Sequence, residues 1–224
     1  MKVFYSPECE KYWQEGHPEH PRRTKRSYEL LQDRFDFVNP EPAEESDILT
    51  VHTHELVNAV RHRKFLDNDT PNLPKMFDHA KLSAGSAMGA MKTALANENG
   101  FSLMRPPGHH AGKDFLGGFC YFNNLAIAVK LALKSMDKVA IIDIDGHHGN
   151  GTQDIFLGDK NILFVSLHQK NAFPVSGFMH ADNCLNFPLM PGTKSDVYLD
   201  TLEKALDNVY EFDPDIVAVS AGFD

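Results

Sequence analysis

Four short stretches of the sequence collect residue types that bind metal ions or move protons. The densest is Asp143-Ile144-Asp145-Gly146-His147-His148-Gly149-Asn150. Carboxylates two residues apart project to the same side of an extended segment, and a histidine two residues further continues on that side. Oxygen and nitrogen donors in this alternation suit zinc, which accepts both at about 2.0–2.2 Å. Nearby hydroxyls and backbone carbonyls would suit a harder, secondary ion. A helix cap on a solvated turn explains the stretch less well, because aspartates directly after an apolar strand are costly to desolvate unless paired. The second stretch is Arg105-Pro106-Pro107-Gly108-His109-His110. Its prolines stiffen the approach, Gly108 permits a tight turn, and two adjacent imidazoles titrating near neutrality form a general acid/base candidate. Ser166-Leu167-His168 and Ser220-Ala221-Gly222-Phe223-Asp224 complete the set. A catalytic zinc takes three protein ligands and keeps one open position, and Asp145, His147 and Asp224 would supply the three.

These stretches share one context: each lies at the end of a short apolar run, Ser166-Leu167-His168 following Ile162–Val165. Phe101–Met104, Val139–Ile142, Ile162–Leu167 and Ile216–Val219 read as strands, the last three apolar on both faces. Helices are expected between and around them, over His54–Lys64, Asp78–Asn97, Leu125–Leu133, Thr152–Leu157 and Asp196–Tyr210. Leu82, Met88, Met91 and Leu95 should form the stripe of the second, where Gly85 and Gly89 imply close packing. In the last, Tyr198, Leu199, Leu202, Leu206 and Val209 should face inward. The amino terminus reads as a first strand, the quarter after it as charged and loop-rich, and Asp67–Lys75 as a surface loop. Both-face apolar strands alternating with helices indicate a parallel sheet covered on both sides. The expected fold is therefore α/β, three layers around a mainly parallel central sheet, in a single domain over residues 1–224. In such sheets ligands bind beyond the carboxyl ends of the strands, where the four stretches lie.

Composition removes competing classes. With 22 basic and 31 acidic side chains, the net charge of −9 disfavours a nucleic-acid partner and is compatible with a cationic ligand. The three cysteines, Cys9, Cys120 and Cys184, are too few and too far apart for a disulfide framework or a cysteine-based zinc ribbon, which fits a reducing, cytoplasmic setting. No apolar run approaches the roughly 18 residues of a membrane span, and the amino terminus does not read as a signal peptide.

The ordered motifs resemble the zinc-dependent histone deacetylase family and its acetylpolyamine amidohydrolase relatives. The likeness rests on Arg105–Ala111, Gly117-Gly118-Phe119-Cys120-Tyr121-Phe122-Asn123-Asn124, Asp143–Thr152, Ser166–His168, Phe173-Pro174 and Ser220–Asp224, with weaker likeness at Gly16-His17-Pro18-Glu19 and Val51-His52. The resemblance implies an arginase-like fold and hydrolysis of an N-acetyl amide to acetate and free amine. It implies zinc on Asp145, His147 and Asp224, and His109 and His110 as the active-site histidines. Asp143 would stand behind the first histidine and Asn150 behind the second. Gly118, Phe119 and Phe173 would line an acyl-chain tunnel, and Asp69 would hold the substrate backbone at its rim. A potassium-type site is implied on Asp143, Ser166 and the backbone oxygens of Asp145, His147 and Leu167.

Two departures accompany the likeness. Gly146 replaces a larger residue of the pattern, and the family's later Gly-Gly-Tyr segment, whose hydroxyl donates to the substrate carbonyl, is absent from this chain. The chain therefore reads as a domain incomplete at its carboxyl end, with impaired activity and an unprotected apolar sheet edge, since an oxyanion donor is worth roughly 10²–10³ in rate. The alternative is a non-catalytic metal- or acyl-binding member. A dimetal arginase-type hydrolase would need more carboxylates around the cluster. Acetyl-lysine peptides and acetylpolyamines remain open as substrates, and so does assembly as a homo-oligomer.

Overall fold

The computed structural model describes residues 1–222. The chain divides into two compact units, Met1–Ala132 and Leu133–Asp224.

In the first unit the elements run β1 (Lys2–Phe4), a 3-10 turn at Pro7–Glu10, α1 (Arg22–Leu31), β2 (Asp36–Val38), α2 (Glu45–Ile48), α3 (His54–Arg61), α4 (Met76–Leu95), β3 (Gly100–Ser102) and α5 (Asn124–Ala132). The three strands form one parallel sheet in the order β2-β1-β3. Helix α3 forms as the periodicity requires: Leu56, Val57 and Val60 are buried, and Thr53 caps it by accepting from the Leu56 N–H at 3.3 Å. Helix α4 packs on α5, β1 and β3. Its buried face is made of Ala80, Ala84, Ala87, Met88 and Met91, while Leu82 and Leu95 of the expected stripe are only half-buried. Small side chains won that face because backbone and an aromatic ring come close: a Cβ at Gly85 would stand 1.9 Å from the Glu41 carbonyl oxygen, and one at Gly89 would stand 2.6 Å from the Phe4 ring. The amino-terminal quarter holds more structure than its charge implied. Helix α1 buries only Thr24, so it leaves no apolar run to read.

The second unit runs β4 (Val139–Asp143), α6 (Asn150–Phe156), β5 (Ile162–Gln169), β6 (Cys184–Leu189), α7 (Ser195–Phe212) and β7 (Ile216–Ser220). Its four strands form a parallel sheet in the order β6-β5-β4-β7. Strand β4 is buried along its whole length. Ala140, Ile142, Leu163, Val165 and Leu167 of the sheet pack against Ala205 and Val209 of α7, with Tyr198 and Leu202 at the margin. Two expected inward residues of α7 point elsewhere: Leu199 is 55% and Leu206 37% exposed. Helix α7 carries two adjacent apolar stripes, and the one through Ala205 meets the sheet. Strand β7 also departs from expectation. It is an edge strand among the described residues, with Val217 and Val219 about half exposed. Strand β6 escaped notice because Pro188 interrupts its pattern, which an edge strand tolerates.

The sheet changes character at one rung. Ile142, Val165, Leu185 and Val219 lie in line across it; one residue further, Asp143, Ser166, Asn186 and Ser220 lie in line. Parallel sheets flanked by helices in both units give the α/β class. None of the helices in the described residues is long and apolar enough to cross a membrane.

Candidate active site

In the second unit, the polar rung opens a turn that holds itself together. Asp143 is fully buried at the end of β4, and its carboxylate accepts the Asp145 N–H at 3.1 Å. Asp145 repeats the pattern, with Oδ1 accepting the His147 N–H at 2.8 Å. These side-chain-to-backbone bonds two residues apart are Asx turns, which satisfy donors that leave the ladder. Gly149 closes the turn: a Cβ there would stand 2.3 Å from Asp143 Oδ2 and 3.1 Å from the Phe164 ring. Asn150 then opens α6.

The turn brings His147 Nδ1 within 3.0 Å of Asp145 Oδ1. Two ligands on one tetrahedral ion with bonds near 2.1 Å would stand about 3.4 Å apart. The pair therefore fits zinc in donor type, its present hydrogen-bond spacing would open by a few tenths of an ångström around an ion, and the His147 side chain is 36% exposed, open to a ligand. Gly222 lies against the same carboxylate, its hypothetical Cβ 1.6 Å from Asp145 Oδ2. Asp224, expected as third ligand, lies outside the described residues. Among the described residues no three His, Cys, Asp or Glu side chains form a metal cluster.

Ser166 and Leu167 are buried on β5, Ser166 directly opposite Asp143 in the ladder. Ser166 Oγ lies 2.9 Å from His168 Nδ1, and His168 Nε2 lies 3.1 Å from the Gly177 carbonyl oxygen. The carbonyl can only accept, so His168 donates from Nε2 and receives the Ser166 proton at Nδ1. Burial holds this imidazole below its usual pKa, consistent with the neutral form. The Ser166 oxygen keeps lone pairs, and with the Asp143 carboxylate across the ladder it is a suitable donor set for a hard cation. Phe173 is 43% exposed, its ring centroid 6.5 Å from that of His147.

In the first unit, the loop after β3 is held by distant residues. Arg105 and Glu19 form an ion pair with side chains 2% and 3% exposed. Arg105 Nε donates to Glu19 Oε1 at 2.5 Å, its guanidinium donates to the Glu19 carbonyl oxygen at 3.0 Å, and it lies 4.2 Å above the Tyr12 ring. His109 and His110 are 8% and 5% exposed, with ring centroids 4.0 Å apart, so this pair is buried rather than dangling in solvent. Gly108 lets the loop pass: a Cβ would stand 2.6 Å from the Asn124 nitrogen.

His52 is the second fastener. Its Nδ1 donates to the Gly112 carbonyl oxygen at 2.7 Å, and its Nε2 accepts the Asn123 N–H at 2.9 Å. Burial lowers its pKa to about 4, so it is neutral and structural. Asn123 completes the hold by donating to the Ala111 carbonyl oxygen at 3.1 Å and accepting the Ala126 N–H at 3.0 Å. The chain passes through left-handed backbone at Gly118 and Phe119, and the Phe119 N–H donates to Thr70 Oγ1 at 3.1 Å. Asp69 is exposed. Its carbonyl oxygen accepts from His17 Nε2 at 3.0 Å, and the His17 ring lies 4.9 Å from Phe119. Asp67, Asp69, Thr70 and His17 border a cavity of about 170 Å³.

Sequence reasoning named the residues of both loops but not the fasteners. Glu19 and His52 gave only motif likeness, with no sign that each reaches across the chain. His148, Gln153 and Asn186 are joined by side-chain hydrogen bonds that no spacing foretold.

Comparison with known proteins gives the family and the fold. Residues 17–224 match the histone deacetylase domain family. A probable deacetylase of Archaeoglobus fulgidus is 39% identical over 94% of this chain and 66% of its own length, so the chain spans about two thirds of that relative. The crystal structure of the HDA15 HD domain superposes with a TM-score of 0.93 at 31% identity, covering 100% of this chain and 74% of that one. An acetylpolyamine aminohydrolase from Burkholderia pseudomallei gives a TM-score of 0.88 at 27% identity, covering 100% and 82%. The Asp/His turn and the paired-histidine loop thus sit in a chain that belongs to the histone deacetylase domain family.

Proposed function

We propose that the protein hydrolyses the N-acetyl amide of an acetylated amine, an acetyl-lysine or an acetylpolyamine, to acetate and free amine. The observation that carries this reading is the Asp145 Oδ1 and His147 Nδ1 pair, 3.0 Å apart on a partly open turn at a strand end. Asp145, His147 and Asp224 would hold zinc. Bound there, zinc supplies Lewis acidity toward the acetyl carbonyl and toward water. Asp143, Ser166 and the Leu167 carbonyl oxygen would hold potassium and stiffen the same turn.

The remaining work falls to the chain's own groups. His110 takes the proton of the attacking water and returns it to the departing amine nitrogen, so no net proton is consumed in that exchange. His109 is its electrostatic partner. By the family likeness, Asp143 and Asn150 take the places of the groups that fix the tautomer and raise the basicity of such imidazoles. By the same likeness, Gly118, Phe119 and Phe173 would admit an extended alkyl chain with a small acyl end, and Asp69 would hold the substrate backbone at the entrance. The test is acetate release from acetylated amines, with zinc content measured on the same samples. His147→Ala should lose both metal and turnover, and His110→Ala should keep the metal and lose turnover. Acetate release untouched by His110→Ala would sink the reading.

A further inference from the structure

The 171–180 loop between β5 and β6 is an exposed apolar segment with a buried polar anchor. Phe173, Val175, Phe178 and Met179 are 43%, 60%, 43% and 79% exposed. Its backbone is left-handed at Asn171, Val175 and Gly177. For a β-branched residue such as Val175 that conformation is rare and persists only where surrounding structure enforces it.

The enforcement is a closed ring of hydrogen bonds. Ser176 Oγ lies 2.7 Å from His148 Nδ1, and His148 Nε2 lies 3.1 Å from Gln153 Oε1. Asn186 Nδ2 donates both to Gln153 Oε1 at 2.8 Å and to the Met179 carbonyl oxygen at 3.0 Å. The ring leaves the loop at Ser176, passes through α6 and β6, and re-enters it at Met179. Its proton order is fixed from one end. Asn186 donates, so Gln153 Oε1 accepts; His148 therefore donates from Nε2 and accepts the Ser176 proton at Nδ1. Between the two attachment points Gly177 rests on the histidine rings. A Cβ there would stand 2.6 Å from His148 and 2.8 Å from His168 Nε2.

His148 adjoins His147 in the chain, and the loop carries Phe173 to His147. We propose that Ser176, Gln153 and Asn186 are positioning residues that lock this loop to the Asp/His turn and thereby set how large an acyl group the site accepts. The proposal rests on the reading of Phe173 as a wall of the acyl site.

The test compares Ser176→Ala, Gln153→Ala and Ser176→Thr with the unaltered protein. Measurements are kcat and KM on acetyl, propionyl and butyryl amides, zinc content, and hydrogen exchange of the 171–180 amides. One unmatched buried partner is worth roughly tenfold. Ser176→Ala, which strands one such partner, should therefore raise KM for the acetyl amide about tenfold, and Gln153→Ala, which strands His148 and one Asn186 N–H, at least as much; both should leave kcat within about twofold and erode acetyl-over-butyryl preference by a similar factor. Exchange in 171–180 should quicken about tenfold with zinc content unchanged, and Ser176→Thr should restore every reading. A fall in kcat and zinc content with unchanged acyl preference and exchange would overturn the proposal, because the ring would then serve only the turn. If the unaltered protein hydrolyses none of the amides, the functional reading fails by itself. The exchange arm then decides the anchor alone: unchanged exchange in both alanine variants refutes it, and faster exchange supports it.

Discussion

The loops after β3 and β4 carry the same kind of cargo by opposite means. The β4 turn is short and holds itself, each carboxylate bonding the N–H two residues on. The β3 loop is long and is held from far along the chain, by Glu19 on Arg105 and by His52 on Gly112 and Asn123. Local closure makes one motif legible and its geometry robust. Remote closure places the stability of a loop in residues that do no chemistry. The contrast predicts that the β3 loop breaks through its fasteners, and the β4 turn only through its own members.

The largest effect should come from the buried ion pair. Arg105→Ala leaves the Glu19 carboxylate buried without its partner, which costs about 3–5 kcal/mol. A denaturant midpoint shift worth under 1 kcal/mol would show that the pair is not the clamp. His52 should come next, through pH. Its folded pKa of about 4 lies below the ordinary 6.5, so between those values the unfolded chain binds a proton that the folded chain refuses. Stability from this residue is thus present above pH 6.5 and is lost as pH falls toward 4, by up to about 3 kcal/mol. His52→Gln, which can still donate to Gly112 and accept from Asn123, should flatten that part of the profile. An equally steep profile in the variant would refute the assignment.

Effects on the β4 turn should appear in binding before folding. If the proposed zinc site is right, Asp143→Asn should weaken zinc affinity by 10–100-fold, measured by competition with a chelator. The smallest pair is Gly108→Ala and Gly149→Ala. Each places a Cβ against backbone or a buried carboxylate and should cost about 1–3 kcal/mol. Gly149→Ala should also lower zinc affinity, and Gly108→Ala should not; equal losses would erase the distinction between the loops.

What could be read beforehand follows the same division. Val139–Ile142 followed by Asp143 announced a buried strand and a site at its end, because apolarity on both faces and an abrupt carboxylate are local facts. The phase of α7 was not local. Its two apolar stripes look alike, and only contact with the sheet selects Ala205 over Leu206. The roles of His52 and Asn186 were invisible for a further reason. Their partners lie up to 71 and 33 residues away, and the pairing is decided by where backbone carbonyls and amides happen to fall.

The rung at which the second sheet turns from Ile142, Val165, Leu185 and Val219 to Asp143, Ser166, Asn186 and Ser220 separates two kinds of information. Residues before that line can drift among apolar types as long as volume is kept, and the strands still assemble. Residues from the line onward can be exchanged for other chemistry while the framework beneath them stays. In such a protein a change of chemistry begins at that rung, and the strands beneath it need not change with it.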